Sequence, residues 1–133
     1  MIGLDTNVLI RYLAQDDKAQ SAAATRLIEK VLTPEAPGFI SLVALVETVW
    51  VLESCYRCTR QEIAAIIERL LRVRQMRVQN AETTWRAVRL FASGKADFAD
   101  CLIERIGHAH ECAHTLTFDK NAASFAGMKL LAG

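Results

Sequence analysis

"MIGLDTNVLIRYL", residues 1–13, opens on a short apolar run, meets an acid at Asp5 and then changes period. Met1 to Leu4 are too few for a helical turn pattern and read as a buried strand ending at Asp5. Val8, Leu9, Tyr12 and Leu13 recur at helical spacing and predict a helix over Asn7–Ala14. Working outward, Lys18–Leu32 is an Ala-rich amphipathic helix closed by the breakers of "TPEAPG". Phe39 and Ile40 form a strand fragment, and Ser41 is suited to cap a helix running to about Tyr56. Thr59 and Glu62 match a capping box for a helix to about Val73. "MRVQ" alternates like a strand, Asn80 can cap a helix over Ala81–Ser93, and Gly94 ends that helix in the usual manner of glycine. Asp97 opens a helix to about Ala109, "HTLTF" is a strand ending at Asp119, and "MKLL" is a last short strand. The order strand, helices, strand, helices, strand, helix, strand, helix, strand, helix, strand predicts an α/β three-layer sandwich, a mostly parallel central sheet flanked by helices. Functional residues of such sheets sit at the carboxyl ends of strands, where Asp5 and Asp119 fall.

The 133 residues suit a single domain spanning 1–133. The hydrophobic share of 52% slightly exceeds the roughly 45–50% of soluble domains. With a net charge of +1, affinity for phosphates must come from a local patch. No basic run followed by a long apolar core opens the chain, so no signal peptide is expected and the compartment reads as cytoplasmic. Gly38–Leu52 is too short to span a bilayer comfortably and carries Glu47, and the four Cys are expected as free thiols.

Several acids carry the chemistry. Asp5 could cap the following helix, and Asp119 could serve the turn in "FDKN". Glu47 lies among Val43, Ala44, Leu45, Val46, Val49, Trp50, Val51 and Leu52, so its helix is apolar almost all round and is expected to be buried. A carboxylate buried there needs a cation, a donor network, a wet cleft or an Arg partner. In "KADFADCLIERIG", Asp97, Asp100 and Glu104 share one helix face. Asp97 could equally be an N-cap, and Glu104 a solvent-facing partner of Arg105 or Lys95. Carboxylates converging on one point repel unless a divalent cation neutralises them. Hard oxygen donors select Mg²⁺ or Mn²⁺, and such a site suits phosphodiester hydrolysis.

"IGLDTNVLIRYL", "FISLVALVETVWVL", "DFADCLIERIG" and "TLTFDKNAASFAGMKLL", in order along the whole chain, resemble the PIN-domain nucleases. They look most like toxin ribonucleases of VapC type from bacterial toxin–antitoxin pairs. The resemblance implies that Asp5, Glu47, Asp100 and Asp119 are the catalytic acids binding Mg²⁺ or Mn²⁺, with Asp97 as an additional acid. It implies that Asn7 supports the first acid and that Thr6 and Ser41 line the cleft. It also implies an endoribonuclease that hydrolyses RNA with a metal-activated water, a homodimer, and a small antitoxin protein as partner. Arg11 and Lys120, near these acids in sequence, are placed to meet RNA phosphates. Arg57, Arg60, Arg69, Arg72, Arg74, Arg77, Arg86 and Arg89 read mostly as a solvated face.

Other readings compete. "CYRC" and "HAHECAH" could belong to a zinc module, although Cys55 and Cys58 fit plain packing near a helix end and the His run straddles another. A phosphoacceptor protein could carry Asp5, but position 7 is Asn where an acid would be wanted. A catalytically silent PIN-like domain that only binds RNA or protein is the third.

Overall fold

The computed structural model describes residues 1–132. They form two compact units that divide between Gln79 and Asn80. The first unit runs β1 (Ile2–Gly3), α1 (Thr6–Ala14), α2 (Lys18–Arg26), β2 (Gly38–Ile40), α3 (Leu42–Cys55), α4 (Arg60–Arg72) and β3 (Met76–Val78). Its strands pair in parallel in the order β1-β2-β3, with Ile2 opposite Gly38 and Gly38 opposite Met76. Parallel neighbours need crossovers, supplied here by the helices between them. Leu9, Ile28, Ile40, Leu45 and Ile63 are fully buried and form the core of this unit. Gly38 is glycine for want of room, since a Cβ there would come within 2.8 Å of the Leu4 and Leu32 side chains.

Past Arg26 the helix widens into a π-helical turn, Leu27–Val31. There the Leu32 amide reaches back to the Leu27 carbonyl at 2.9 Å. The Ile28 carbonyl is passed over, and Gln75 Nε2 donates to it at 3.2 Å. A side chain from the far end of the unit thus satisfies a backbone acceptor that the helix abandons.

The second unit runs α5 (Ala81–Ser93), α6 (Phe98–Ala109), β4 (Leu116–Thr117), α7 (Lys120–Phe125) and β5 (Lys129–Leu130). β4 and β5 pair in parallel. Phe91 of α5 and Phe98 of α6 meet edge to face with centroids 5.6 Å apart. The architecture is therefore α/β, with seven α-helices and only parallel strand pairs among the described residues.

Four local expectations are corrected. Ile2 and Gly3 are exposed rather than buried, because β1 lies at the edge of the three-stranded order and only Leu4 turns inward. No strand separates α5 from α6, so the alternation of strands and helices breaks there. Asn80 stands at the start of α5 with φ 48° and makes no side-chain cap, its left-handed backbone doing the turning instead. Gly94 follows α5 in an extended conformation, φ −125°, not the left-handed one. Ser41, Thr59 and Glu62 cap as expected. The Ser41 hydroxyl accepts from the Ala44 amide, and the Thr59–Glu62 box closes in both directions.

Candidate active site

In the first unit Asp5 occupies the N-cap position of α1, yet its side chain makes no capping hydrogen bond. The next residue, Thr6, donates its hydroxyl to Glu47 Oε1 at 2.8 Å, tying the start of α1 to the middle of α3. Glu47 itself is exposed, which overturns its expected burial. Val43, Glu47 and Trp50 fall on one helical stripe, with Val43 72% and Trp50 64% exposed, while Ala44, Leu45, Thr48, Val49 and Leu52 face the core. The composition of α3 concealed which side packs. No Arg or Lys pairs with Glu47 among the described residues, so the Thr6 hydroxyl is what orients it.

Further along α1, Arg11 is fully engaged on one side. Its Nε donates to Gln20 Oε1 at 2.7 Å and its Nη1 to Asp16 Oδ1 at 3.3 Å. Tyr56 donates to the other Asp16 oxygen at 2.6 Å, and this bond leads the causes that hold the Asp16 carboxyl below its usual range. Asn7 is exposed, and Ser41 has given its oxygen to the α3 cap. The Asp16–Arg11–Gln20 set carried no sequence signal, because its members meet only when α1 and α2 fold against each other.

In the second unit Asp97 caps α6 through a bond from the Ala99 amide at 2.8 Å. Asp119 does the same for α7, its Oδ1 accepting from the amides of Asn121 at 2.7 Å and Ala122 at 3.2 Å. Each thereby fixes one carboxylate oxygen on backbone, and the other accepts no hydrogen bond among the described residues. Asp100, one turn into α6, is half-buried. Burial first, then the negative charges of Asp97 and Asp119, push its carboxyl above the usual range. Glu104 stands apart from this trio; Arg105 grips both its oxygens, and the side chain is largely buried rather than solvent-facing. Lys120 is exposed at the first turn of α7. Among the described residues no group of three or more His, Cys, Asp or Glu is gathered closely enough to hold a metal ion. Asp97 and Asp119 are near enough to act on the Asp100 carboxyl without the three being drawn together.

The thiols and imidazoles are scattered. Cys55 ends α3 and is exposed, and Cys58 lies in the loop beyond with its thiol pushed up by burial and then by Glu62. His108 and His110 close α6, while Cys112 and His114 follow in the loop. The arginines behave mostly as a solvated face: Arg86 pairs with Glu82 one turn away, and Arg89 lies over the Trp85 ring at 5.7 Å.

No curated protein matches this chain. The sequence does match the family described as PIN domain, over residues 2–128, which takes in every acid discussed above. With nearly its full length covered and an α/β architecture of parallel strands, the chain belongs to the PIN-domain family.

Proposed function

We propose that this PIN domain is a metal-dependent endoribonuclease, the toxin of a toxin–antitoxin pair, in which Asp5, Glu47, Asp100 and Asp119 hold Mg²⁺ or Mn²⁺ with help from Asp97. PIN domains are in general nucleases, which fixes the broad class as hydrolase. The observation that carries the finer reading is the crowding of half-buried Asp100 by the charges of Asp97 and Asp119, none of the three having an ion-pair partner among the described residues. Such crowding is what a divalent cation relieves, and carboxylate oxygens are the hard donors that Mg²⁺ and Mn²⁺ prefer.

A cation so held supplies Lewis acidity at the phosphoryl oxygens and acidifies a water. The chain's own residues do the positioning. Thr6 fixes one oxygen of Glu47 and leaves its partner oxygen without a hydrogen bond among the described residues. The backbone amides beyond Asp97 and Asp119 do the same for those carboxylates. Asp5, unused as a cap, keeps its carboxylate for the same work. Arg11 and Lys120 would contact the RNA, while Asn7 and Ser41 complete the surroundings of the acids.

A homodimer and the antitoxin both follow from the family resemblance. No helix among the described residues is long and apolar enough to cross a membrane. Four free cysteines suit the cytoplasm, where we place the protein. The decisive experiment incubates total RNA with wild type, Asp5→Asn and Asp100→Asn, each in Mg²⁺, Mn²⁺ or EDTA. Cutting at discrete sites that both substitutions and EDTA abolish is the expected result. A folded wild type that cuts no RNA pool is instead a PIN domain that only binds RNA or protein.

A further inference from the structure

Between α1 and α2 lies a cavity of about 300 Å³ lined by Asn7, Val8, Arg11, Gln20, Ala23 and Ala24. We infer that it is a base-reading subsite that accepts a guanine of the RNA, an assignment that rests on the ribonuclease reading above. Its size falls at the low end for small-molecule sites, which run from roughly 300 Å³ upward. Its walls are mainly apolar, with a few polar groups among them. Val8, Ala23 and Ala24 offer apolar surface to a flat ring, and Asn7, Arg11 and Gln20 offer polar groups to the ring's edge.

The hydrogen bonds already made decide which edge fits. Arg11 can only donate, so the Gln20 oxygen must face it, as the 2.7 Å bond shows. The Gln20 amide nitrogen is thereby left as a donor, and it has no partner among the described residues. Arg11 Nη2 is a second donor beside it. Two adjacent donors match the two acceptors, O6 and N7, on the outer edge of guanine. Adenine sets its amino donor against one of them. A phosphate is the poorer guest, because Asp16 already opposes the Arg11 charge at 3.3 Å and most of the wall is apolar. Single-stranded RNA splays its bases outward and is read on such edges. Asn7 stands two residues from Asp5, so a base held here belongs to a nucleotide near the phosphate that is cut.

The test measures fluorescence-anisotropy binding of labelled oligoribonucleotides to the wild-type chain in EDTA, with guanine, inosine, 7-deazaguanine or adenine at one position among uridines. Guanine and inosine, which keep both acceptors, are expected to bind about equally and on the order of tenfold tighter than the other two. Gln20→Glu retains the bond to Arg11 but turns the second donor into an acceptor, and it is expected to erase the preference. Equal affinity for all four oligomers overturns the subsite, as does a Gln20→Glu chain that keeps the preference. Cleavage of a randomised RNA pool in Mg²⁺, run alongside, separates the two claims. Cutting without any preference in binding leaves the nuclease and removes the subsite. Guanine-selective binding without cutting keeps the subsite and sinks the nuclease.

Discussion

Asp100 makes the sharpest demand on its surroundings, because its carboxyl is held above the ordinary value of 3.8 by burial and two acidic neighbours. The folded chain keeps that proton more tightly than the unfolded chain. The stability this gives is full below about pH 3.8 and is lost as pH rises through the folded pKa. In EDTA near pH 7, Asp100→Asn should therefore melt above wild type, by a few degrees at most, with the gap closing near pH 3.5 in calorimetry. Added Mg²⁺ should reverse the order. At about a hundred times its dissociation constant a ligand stabilises by about 2.7 kcal/mol, a gain wild type should show and Asp100→Asn should lose. A wild-type melting point that Mg²⁺ leaves unmoved would remove Asp100 from the ligand set.

Helix ends and helix faces differ in what fixes them. The Thr59–Glu62 box closes within three residues, so its chemistry was legible in the sequence, as was the Ser41 cap. Thr59→Ala should cost about 1 kcal/mol in urea denaturation, with Ser41→Ala close to it. The facing of α3 was not legible in this way. Its residues are apolar on every side, and only the neighbours it packs against choose Leu45 for the core and leave Val43 and Trp50 outside. Replacing Val43 or Trp50 with Ser should change stability by less than about 0.5 kcal/mol, whereas Leu45→Ala should cost about 2–5 kcal/mol. Comparable losses at all three positions would show that the stripe is covered. The acids were singled out by their order along the chain, but the Arg11–Gln20 pair was not. Nothing local marks a contact that two helices make only when folded.

At the scale of the whole chain, the family match spans both compact units, and we propose that residues 1–133 act as one domain. Each unit carries one tryptophan, Trp50 in the first and Trp85 in the second. Fluorescence of Trp50→Phe and Trp85→Phe chains thus follows the units separately through urea. One domain predicts coincident midpoints, and two separated transitions would divide it. With a net charge of +1, the chain should also hold RNA through few phosphates. Each contact contributes about −0.7 to the slope of log affinity against log salt, so a slope shallower than about −3 is expected.

The π-helical turn after α2 has a meaning for how such a chain can change length. A turn of this kind holds one more residue than an α-helical turn, and Gln75 has taken up the acceptor left behind. The segment Leu27–Val31 is in that sense a one-residue insertion already absorbed at the end of a helix. Deleting a residue there lets the ladder close in its regular form, so this stretch should tolerate shortening where the middle of α3 or α4 would not.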